Sequence, residues 1–354
     1  SAIALLQYTG GTTGVPKGAA ITHANLSVNA AQLAAIDPGD GVREGRVLGA
    51  LPLFHIFANS CILNRSVHAG GTIVLLARFD AGEALAAIRR CKLTDLAGVP
   101  AMYQAMLDHP DCRKTSFATV EQCFSGGAPM TAVLKERFEA ATGARVLEGY
   151  GLTETSGVTS VNPYVGETRS GTVGLALPHT ELRIVDPEDP DIELEPGKTG
   201  EITIRGPQVM AGYWRSDDNA PEPLPGGWLR TGDLGFIEPG GYLRLCDRSK
   251  DMINVGGFKV FPSQVEAALT RHPAIKECLV IGVPDDRVGE RPKAFAVLEA
   301  GQEATPESLL AHLSQLVGKH ERPVTVEILP DLPRTMIGKP DRKALAKMEA
   351  EKRG

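Results

Sequence analysis

One stretch near the start of the chain restricts the fold more than any other: Tyr8-Thr9-Gly10-Gly11-Thr12-Thr13-Gly14-Val15-Pro16-Lys17-Gly18. The apolar run 2–6 before it reads as a short buried strand, and residues 19–21 after it read as a second strand. Thr22 or Asn25 then caps a helix that runs to about Ile36. Four glycines and three threonine hydroxyls therefore crowd a tight loop between two strands, with one lysine at its far end. Glycine lets backbone N–H groups approach an anion, threonine donates to phosphate oxygens, and lysine adds a point charge. That is the chemistry of a polyphosphate grip; the alternative is a plain surface turn. It is not the common P-loop, whose Gly-Lys-Ser/Thr opens a helix, because Pro16 precedes Lys17 and Gly18 follows it.

Downstream, strand, loop and helix alternate to about residue 186. Strands are expected at 46–51 and 72–76, helices at 81–91 and 129–142, which predicts α/β layering with a largely parallel sheet. From 182 to 245, short alternating runs separated by turn residues predict a β-rich subdomain. Arg248-Ser249-Lys250-Asp251 is a charged break. Beyond it, helices at 262–271 and 306–317 and strands near 275–283, 293–298 and 324–329 describe a small α+β domain, followed by a charged tail from Lys347. A chain of 354 residues holds two or three domains at roughly 150 residues each. The expected division is 1–249 and 250–354.

The composition, 42% hydrophobic and 23% charged, is that of a globular protein with a large core. A net charge of −6 without a long basic run argues against nucleic acid as a partner. Six cysteines without a Cys-x-x-Cys pair favour buried free thiols in a reducing compartment, hence a cytoplasmic protein. No apolar run approaches the ~20 residues of a membrane span; contact with a membrane surface and the oligomeric state stay open. The chain begins at Ser1, almost directly in a strand expected to be buried, and so reads as a piece of a longer protein.

Four further stretches carry chemistry. In Glu148-Gly149-Tyr150-Gly151-Leu152-Thr153-Glu154, the flanking glycines leave the Tyr150 ring open to a planar base. Thr153 can donate to a phosphate, and Glu154 is a hard oxygen ligand suited to Mg²⁺ held against phosphates; a strand end with a solvated Glu154 is the plainer reading. Asp233, in the glycine-bounded Thr231-Gly232-Asp233-Leu234-Gly235, can accept from the two hydroxyls of a ribose, or simply form an Asx turn. In Asp247-Arg248-Ser249-Lys250-Asp251-Met252-Ile253-Asn254-Val255-Gly256-Gly257-Phe258, Arg248 can donate to the same ribose, and the break suits either a hinge or a solvated linker. Lys339 sits in Leu332-Pro333-Arg334-Thr335-Met336-Ile337-Gly338-Lys339, where a lysine is ordinarily surface charge.

In this order, the five stretches resemble the adenylate-forming enzymes: acyl-CoA synthetases, luciferases and peptide-synthetase adenylation domains. The resemblance covers nearly the whole chain. It is nearest to bacterial long-chain fatty acid–CoA ligases through Leu147 to Glu154, Ser160-Val161-Asn162-Pro163-Tyr164 and Gly206-Pro207-Gln208-Val209-Met210-Ala211-Gly212-Tyr213-Trp214. It implies a partial adenylate-forming fold, α/β layered with a β-rich subdomain and a small mobile C-terminal α+β domain. It also implies two steps: a carboxylate attacks the α-phosphate of ATP, giving acyl-AMP and pyrophosphate, and coenzyme A then displaces AMP. The substrate carboxylate is itself the nucleophile, so alignment and charge neutralisation are what the protein must supply.

By this resemblance Thr9, Gly10, Gly11, Thr12, Thr13, Gly14 and Lys17 would grip the outer phosphates. Tyr150, within Glu148-Gly149-Tyr150-Gly151, would stack on adenine, Thr153 would hold the α-phosphate and Glu154 would bind Mg²⁺. Asp233 and Arg248 would fix the ribose, Lys250 would be the hinge, and Gly256 and Gly257 would line the pantetheine path, where only bare backbone leaves room. Lys339 would bridge carboxylate and α-phosphate. His55, in Pro52-Leu53-Phe54-His55-Ile56-Phe57, would sit beside the acyl site, and Gly126, Gly127 and Ala128 would lie between adenine and acyl group. Amino-acid-activating relatives carry an aspartate where His55 stands, so an uncharged acyl tail fits better. Two departures stand out: the family's large N-terminal portion does not precede the loop, and Gly318-Lys319-His320-Glu321-Arg322-Pro323 lacks the usual Tyr-Lys-x-Pro form.

Overall fold

The computed structural model of the protein describes residues 2–9, 17–37, 45–214, 221–222, 224–334 and 340–352. Two compact units emerge, Ser1–Thr231 with Phe236–Leu245, and Gly232–Gly235 with Cys246–Gly354.

The first unit is built on a seven-stranded sheet. Its order is Thr72–Leu75, Arg46–Gly49, Asp95–Gly98, Gln122–Ser125, Val146–Leu152, Gly157–Val161, Leu175–Ala176. The first five strands run parallel, and the last two join antiparallel. Parallel strands are buried on both faces, so neighbouring side chains alternate between two cores. Leu48, Leu96, Cys123 and Val146 face the helices Ala81–Cys91, Pro100–Asp108 and Ala132–Thr142, where Tyr103 and Phe138 meet edge to face at 5.0 Å. Val47, Ala97, Phe124 and Leu147 face the other way, toward Leu33 of helix His23–Ala35 and toward Ala58, Cys61 and Ile62. Thr22 caps that helix: Asn25 N donates to its Oγ1. The helix expected from 129 starts at Ala132, because Thr131 is its cap.

Two smaller sheets complete this unit. One has strands ordered Glu181–Val185, Gly200–Arg205, Leu229–Ile237, Leu243–Arg248, the first two antiparallel; its residues Gly232–Gly235 and Cys246–Arg248 count with the second unit. The other is ordered Ile3–Thr9, Lys17–Thr22, Tyr213–Trp214, Pro221–Glu222. Ile3–Thr9 corrects the expectation of a buried opening strand. It is an edge strand paired, among the described residues, with Lys17–Thr22, and each of its residues is half-buried or exposed.

The second unit has a five-stranded sheet dominated by the pair Ile275–Asp285 and Gly289–Leu298. Helices Pro262–Leu269 and Pro306–Leu313 cover one face through Val265, Leu269, Leu309 and Leu313. Leu279, Ile281, Val283 and Phe295 point to the opposite face, where Leu345 covers them. Leu345 belongs to a helix, Arg342–Glu351, not expected from the sequence, which runs into the charged tail from Lys347. Two ion pairs fasten it, one buried and one half-buried: Lys293 Nζ lies 2.7 Å from Glu349, and Arg342 Nη1 lies 2.8 Å from Glu266. Four of the six cysteines are buried. Burial pushes the Cys61 thiol up to about 12.

Candidate functional site

In the first unit the chain leaves Arg46–Gly49, adds Thr72–Leu75 on one side, then crosses to add Asp95–Gly98 on the other. Open α/β sheets hold ligands at the carboxyl ends of their strands beside such a reversal. The candidate residues of this unit follow those ends. His55 comes after Arg46–Gly49, Gly126, Gly127 and Ala128 after Gln122–Ser125, and Glu148 to Gly151 form part of Val146–Leu152.

Contacts join these segments. The Phe57 ring packs over Gly126, where an added Cβ would come within 3.1 Å of it. Ile56 shares an apolar cluster with Tyr150 and with Ala19 and Ile21 of the strand Lys17–Thr22. His55 caps the turn Ile56–Ala58, its Nδ1 accepting from Phe57 N at 3.3 Å. The neutral ring then carries its proton on Nε2. The turn continues into a π-helical stretch, Asn59–Asn64, closed by a bond from Asn64 Nδ2 to Asn59 Oδ1 at 2.8 Å. Such stretches are rare and concentrate at functional sites.

The glycines beside Tyr150 let two strands approach closely. A Cβ at Gly151 would run into the Gly157 carbonyl, and one at Gly149 would sit 3.2 Å from the Ser160 carbonyl oxygen. Both glycines let Val146–Leu152 press against Gly157–Val161, and Tyr150 itself is buried. Glu148 is buried too, and burial raises its carboxyl pKa against the pull of the Lys135 ammonium. Lys135 is also buried, and its Nζ makes no hydrogen bond among the described residues. The sequence reading passed it over, because a lysine on a helix is ordinarily solvated.

Thr153 and Glu154 open a single 3₁₀ turn, Thr153–Thr155, pinned by the buried Thr155 hydroxyl to the Leu152 and Gly157 carbonyls. The Glu154 carboxylate accepts from the Tyr213 hydroxyl at 2.8 Å. The Lys17 ammonium lies 5.1 Å from the centroid of the Tyr213 ring. Thr9 stands opposite Lys17 in the hairpin. Gly10, Gly11, Thr12, Thr13 and Gly14 lie outside the described residues, as does Lys339. The site thus gathers a cation, a hard oxygen and an aromatic ring, with Tyr213 at the junction. Tyr213 has no role assigned from the sequence; its signal there is its place in the stretch Gly206 to Trp214 that carries the family resemblance.

The donor set fits Mg²⁺ held on a nucleotide. Mg²⁺ takes one or two carboxylates and leans on substrate phosphates for the rest. Glu154 offers one such carboxylate, and no cluster of three or more His, Cys, Asp or Glu suited to a metal occurs among the described residues.

In the second unit, Asp233 and Arg248 form an ion pair, Nε to Oδ1 3.1 Å. Lys250 lies in the 3₁₀ turn Ser249–Asp251, where burial and then the Arg248 charge lower its pKa. Gly256 and Gly257 form the two-residue tip of a hairpin, with Val255 opposite Phe258. Their φ values of +58° and +89° are those a tight hairpin turn demands. The turn therefore accounts for both glycines without a ligand.

A mixed α/β chain with this sheet order, this strand-end site and a separate small unit has the adenylate-forming architecture. ATP-bound MatB from Rhodopseudomonas palustris superposes with a TM-score of 0.91 at 34% identity, over 99% of this chain and 69% of that one. The AMP-binding enzyme family matches residues 1–214, and the AMP-binding enzyme C-terminal domain matches residues 264–339. The chain belongs to the AMP-binding enzyme family. A long-chain-fatty-acid–CoA ligase of Bacillus subtilis is 39% identical over 99% of this chain and 62% of its own length. A feruloyl-CoA synthase of an Amycolatopsis species is 37% identical over 95% of this chain and 68% of its own. The chain thus spans about 62% of the length of the Bacillus ligase. Among the described residues no helix is long and apolar enough to cross a membrane.

Proposed function

We propose that the protein is an ATP-dependent, AMP-forming acyl-CoA ligase that activates a fatty acid in the cytoplasm. The observation that carries this reading is the grouping of Lys17, Tyr213 and Glu154 beside Tyr150. In the first step a carboxylate oxygen attacks the α-phosphorus, the bond to the β-phosphate breaks, and pyrophosphate leaves. In the second, the coenzyme A sulfur attacks the acyl carbon, the bond to AMP breaks, and the thiol proton passes to solvent. Lys17 and the threonine-rich loop hold the outer phosphates, Tyr150 holds the adenine, and Thr153 and Lys339 steady the α-phosphate. Mg²⁺, when bound, would neutralise charge on the phosphates, and Glu154 would be the carboxylate that holds it. Asp233 and Arg248 take the ribose, each exchanging part of its ion pair for a hydroxyl. Lys250 is the pivot for the change between steps, and Gly256 and Gly257 bring bare backbone to the pantetheine.

A fatty tail is favoured because His55, among apolar neighbours, stands where an amino-acid-activating relative holds a carboxylate. The similarity to the Bacillus ligase supports the same choice. The similarity to a feruloyl-CoA synthase supports an aryl acid as the second reading. Pyrophosphate release by the full-length protein with ATP and Mg²⁺ across medium- and long-chain fatty acids, benzoates and hydroxycinnamates tests both. A fatty acid is expected to lead in kcat/KM by about tenfold or more, since each methylene in an apolar pocket contributes ~1–3 kcal/mol. A leading hydroxycinnamate would overturn the fatty-acid choice, and no pyrophosphate from any acid would overturn the ligase.

A further inference from the structure

We infer that Tyr213 is a positioning residue for the triphosphate end of the site: its hydroxyl aims the Glu154 carboxylate while its ring seats the Lys17 ammonium. This rests on the nucleotide reading proposed above.

Three observations carry it. First, the Tyr213 hydroxyl donates to Glu154 Oε1 at 2.8 Å. A phenol donating to a carboxylate is a charge-assisted bond, about twice as strong as a neutral one, and it fixes which way the second oxygen faces. Second, Lys17 Nζ stands 5.1 Å from the centroid of the same ring, within cation–π range. One side chain therefore sets the spacing between the candidate metal ligand and the candidate phosphate cation. Third, the backbone around Tyr213 is fastened to both motifs. Met210 N donates to the Glu154 carbonyl at 2.8 Å. Ala211 N donates to the Ala20 carbonyl and Ala20 N to the Gly212 carbonyl, each at 3.0 Å. Tyr213 itself pairs with Ala19. The segment Met210 to Tyr213 is thus a clamp between the strand after the phosphate loop and the turn that carries Glu154.

Tyr213→Phe keeps the ring, the strand pairing and the Lys17 contact, and removes only the hydroxyl. ATP binding measured by calorimetry at a series of Mg²⁺ concentrations reads its effect. A hydrogen bond to a charged group contributes ~1.5–3 kcal/mol, so the Mg²⁺ needed for half-maximal ATP binding should rise about tenfold. Mg²⁺-free ATP binding should shift by less than about twofold on the same reasoning, because the Lys17 contact survives. Tyr213→Leu removes the ring as well and should weaken Mg²⁺-free binding about threefold further, a cation–π contact at a partly exposed site being worth ~0.5–1 kcal/mol. In a Glu154→Gln background Tyr213→Phe should leave the Mg²⁺ dependence where Glu154→Gln alone sets it. A purely structural role for Tyr213 predicts additive effects there. Wild-type Mg²⁺ dependence in Tyr213→Phe, or additivity with Glu154→Gln, overturns the inference while the nucleotide reading stands. Absence of Mg²⁺-dependent ATP binding in the wild type overturns that reading and the inference with it.

Discussion

Replacing Gly151 by alanine tests whether the Glu154 turn is held by strand packing. An added Cβ would lie 2.7 Å from the Gly157 carbonyl carbon and 2.9 Å from Val158 Cα, and closer still to the carbonyl oxygen. Carbon atoms in contact prefer about 3.5–4.0 Å, so the two strands must part by about 1 Å. All three obstructing atoms are backbone, and no rotamer change relieves them. Overpacking of this kind costs about 1–3 kcal/mol, and the upper end applies where backbone must move. Gly151 is not among the glycines with positive φ, so alanine brings no conformational penalty of its own. Gly143→Ala is the matched control. Gly143 ends helix Ala132–Thr142 at φ +72° with open space around it, so its cost is conformational, about 1 kcal/mol. Both tryptophans, Trp214 and Trp228, belong to the first unit, so urea denaturation followed by tryptophan fluorescence reports that unit alone. The expected order is Gly151→Ala below Gly143→Ala below wild type. The Gly151 variant should also bind Mg²⁺–ATP up to about a hundredfold more weakly, since a shift near 1 Å at a positioned group can cost that much. Equal stability of the two variants would refute the packing argument.

Lys339→Ala should lower acyl-adenylate formation by about a hundredfold or more, the scale for losing one group that stabilises developing charge, while thioester formation from supplied acyl-AMP persists. Equal loss in both half-reactions removes Lys339 from its role. In the second unit, the Lys352 hydrogen bond holds the Glu327 carboxyl below its ordinary 4.5, and Lys293 adds to the effect. A depressed carboxyl stabilises the fold above its unfolded pKa, and that stability is lost as pH falls through the folded value. Glu327→Gln should therefore lower the calorimetric midpoint of this unit near pH 7 and narrow the gap to wild type in acid; a gap constant with pH counts against the ion pair.

Local chemistry made the layered α/β order readable. Val47-Leu48 and Leu96-Ala97 send successive apolar side chains to the two cores of the sheet, the edge strand Thr72–Leu75 is half-buried or exposed, and Ala81–Cys91 shows its cap, Asp80, and its apolar stripe. The helix Arg342–Glu351 was hidden because only Leu345 and Glu349 of its ten residues are buried, and one of these is a charge neutralised by Lys293. Its necessity was nevertheless written in the strand it covers. Leu279-Val280-Ile281 is apolar on both faces, Pro262–Leu269 and Pro306–Leu313 cover one, and something later in the chain had to cover the other.

The site divides the same way. Thr9, Lys17, Tyr150 and Glu154 stand out as candidates because phosphate and metal chemistry restricts residue types within a few positions of each other. The reasons for their neighbours do not stand out, because glycine answers to several demands at once. Gly149 and Gly151 answer to the adjacent strand, Gly126 to the Phe57 ring, and Gly256 and Gly257 to a hairpin turn. A glycine-flanked motif thus marks where backbone comes close to something or turns tightly, and its sequence does not say which. Tyr213 lies at the other limit. Nothing within its own segment demands an aromatic hydroxyl; the demand comes from Glu154 and Lys17, which only strand pairing brings to its side. Residues that act by holding other residues are therefore the ones a linear reading misses, and sheet partners of a recognised motif are where to look for them.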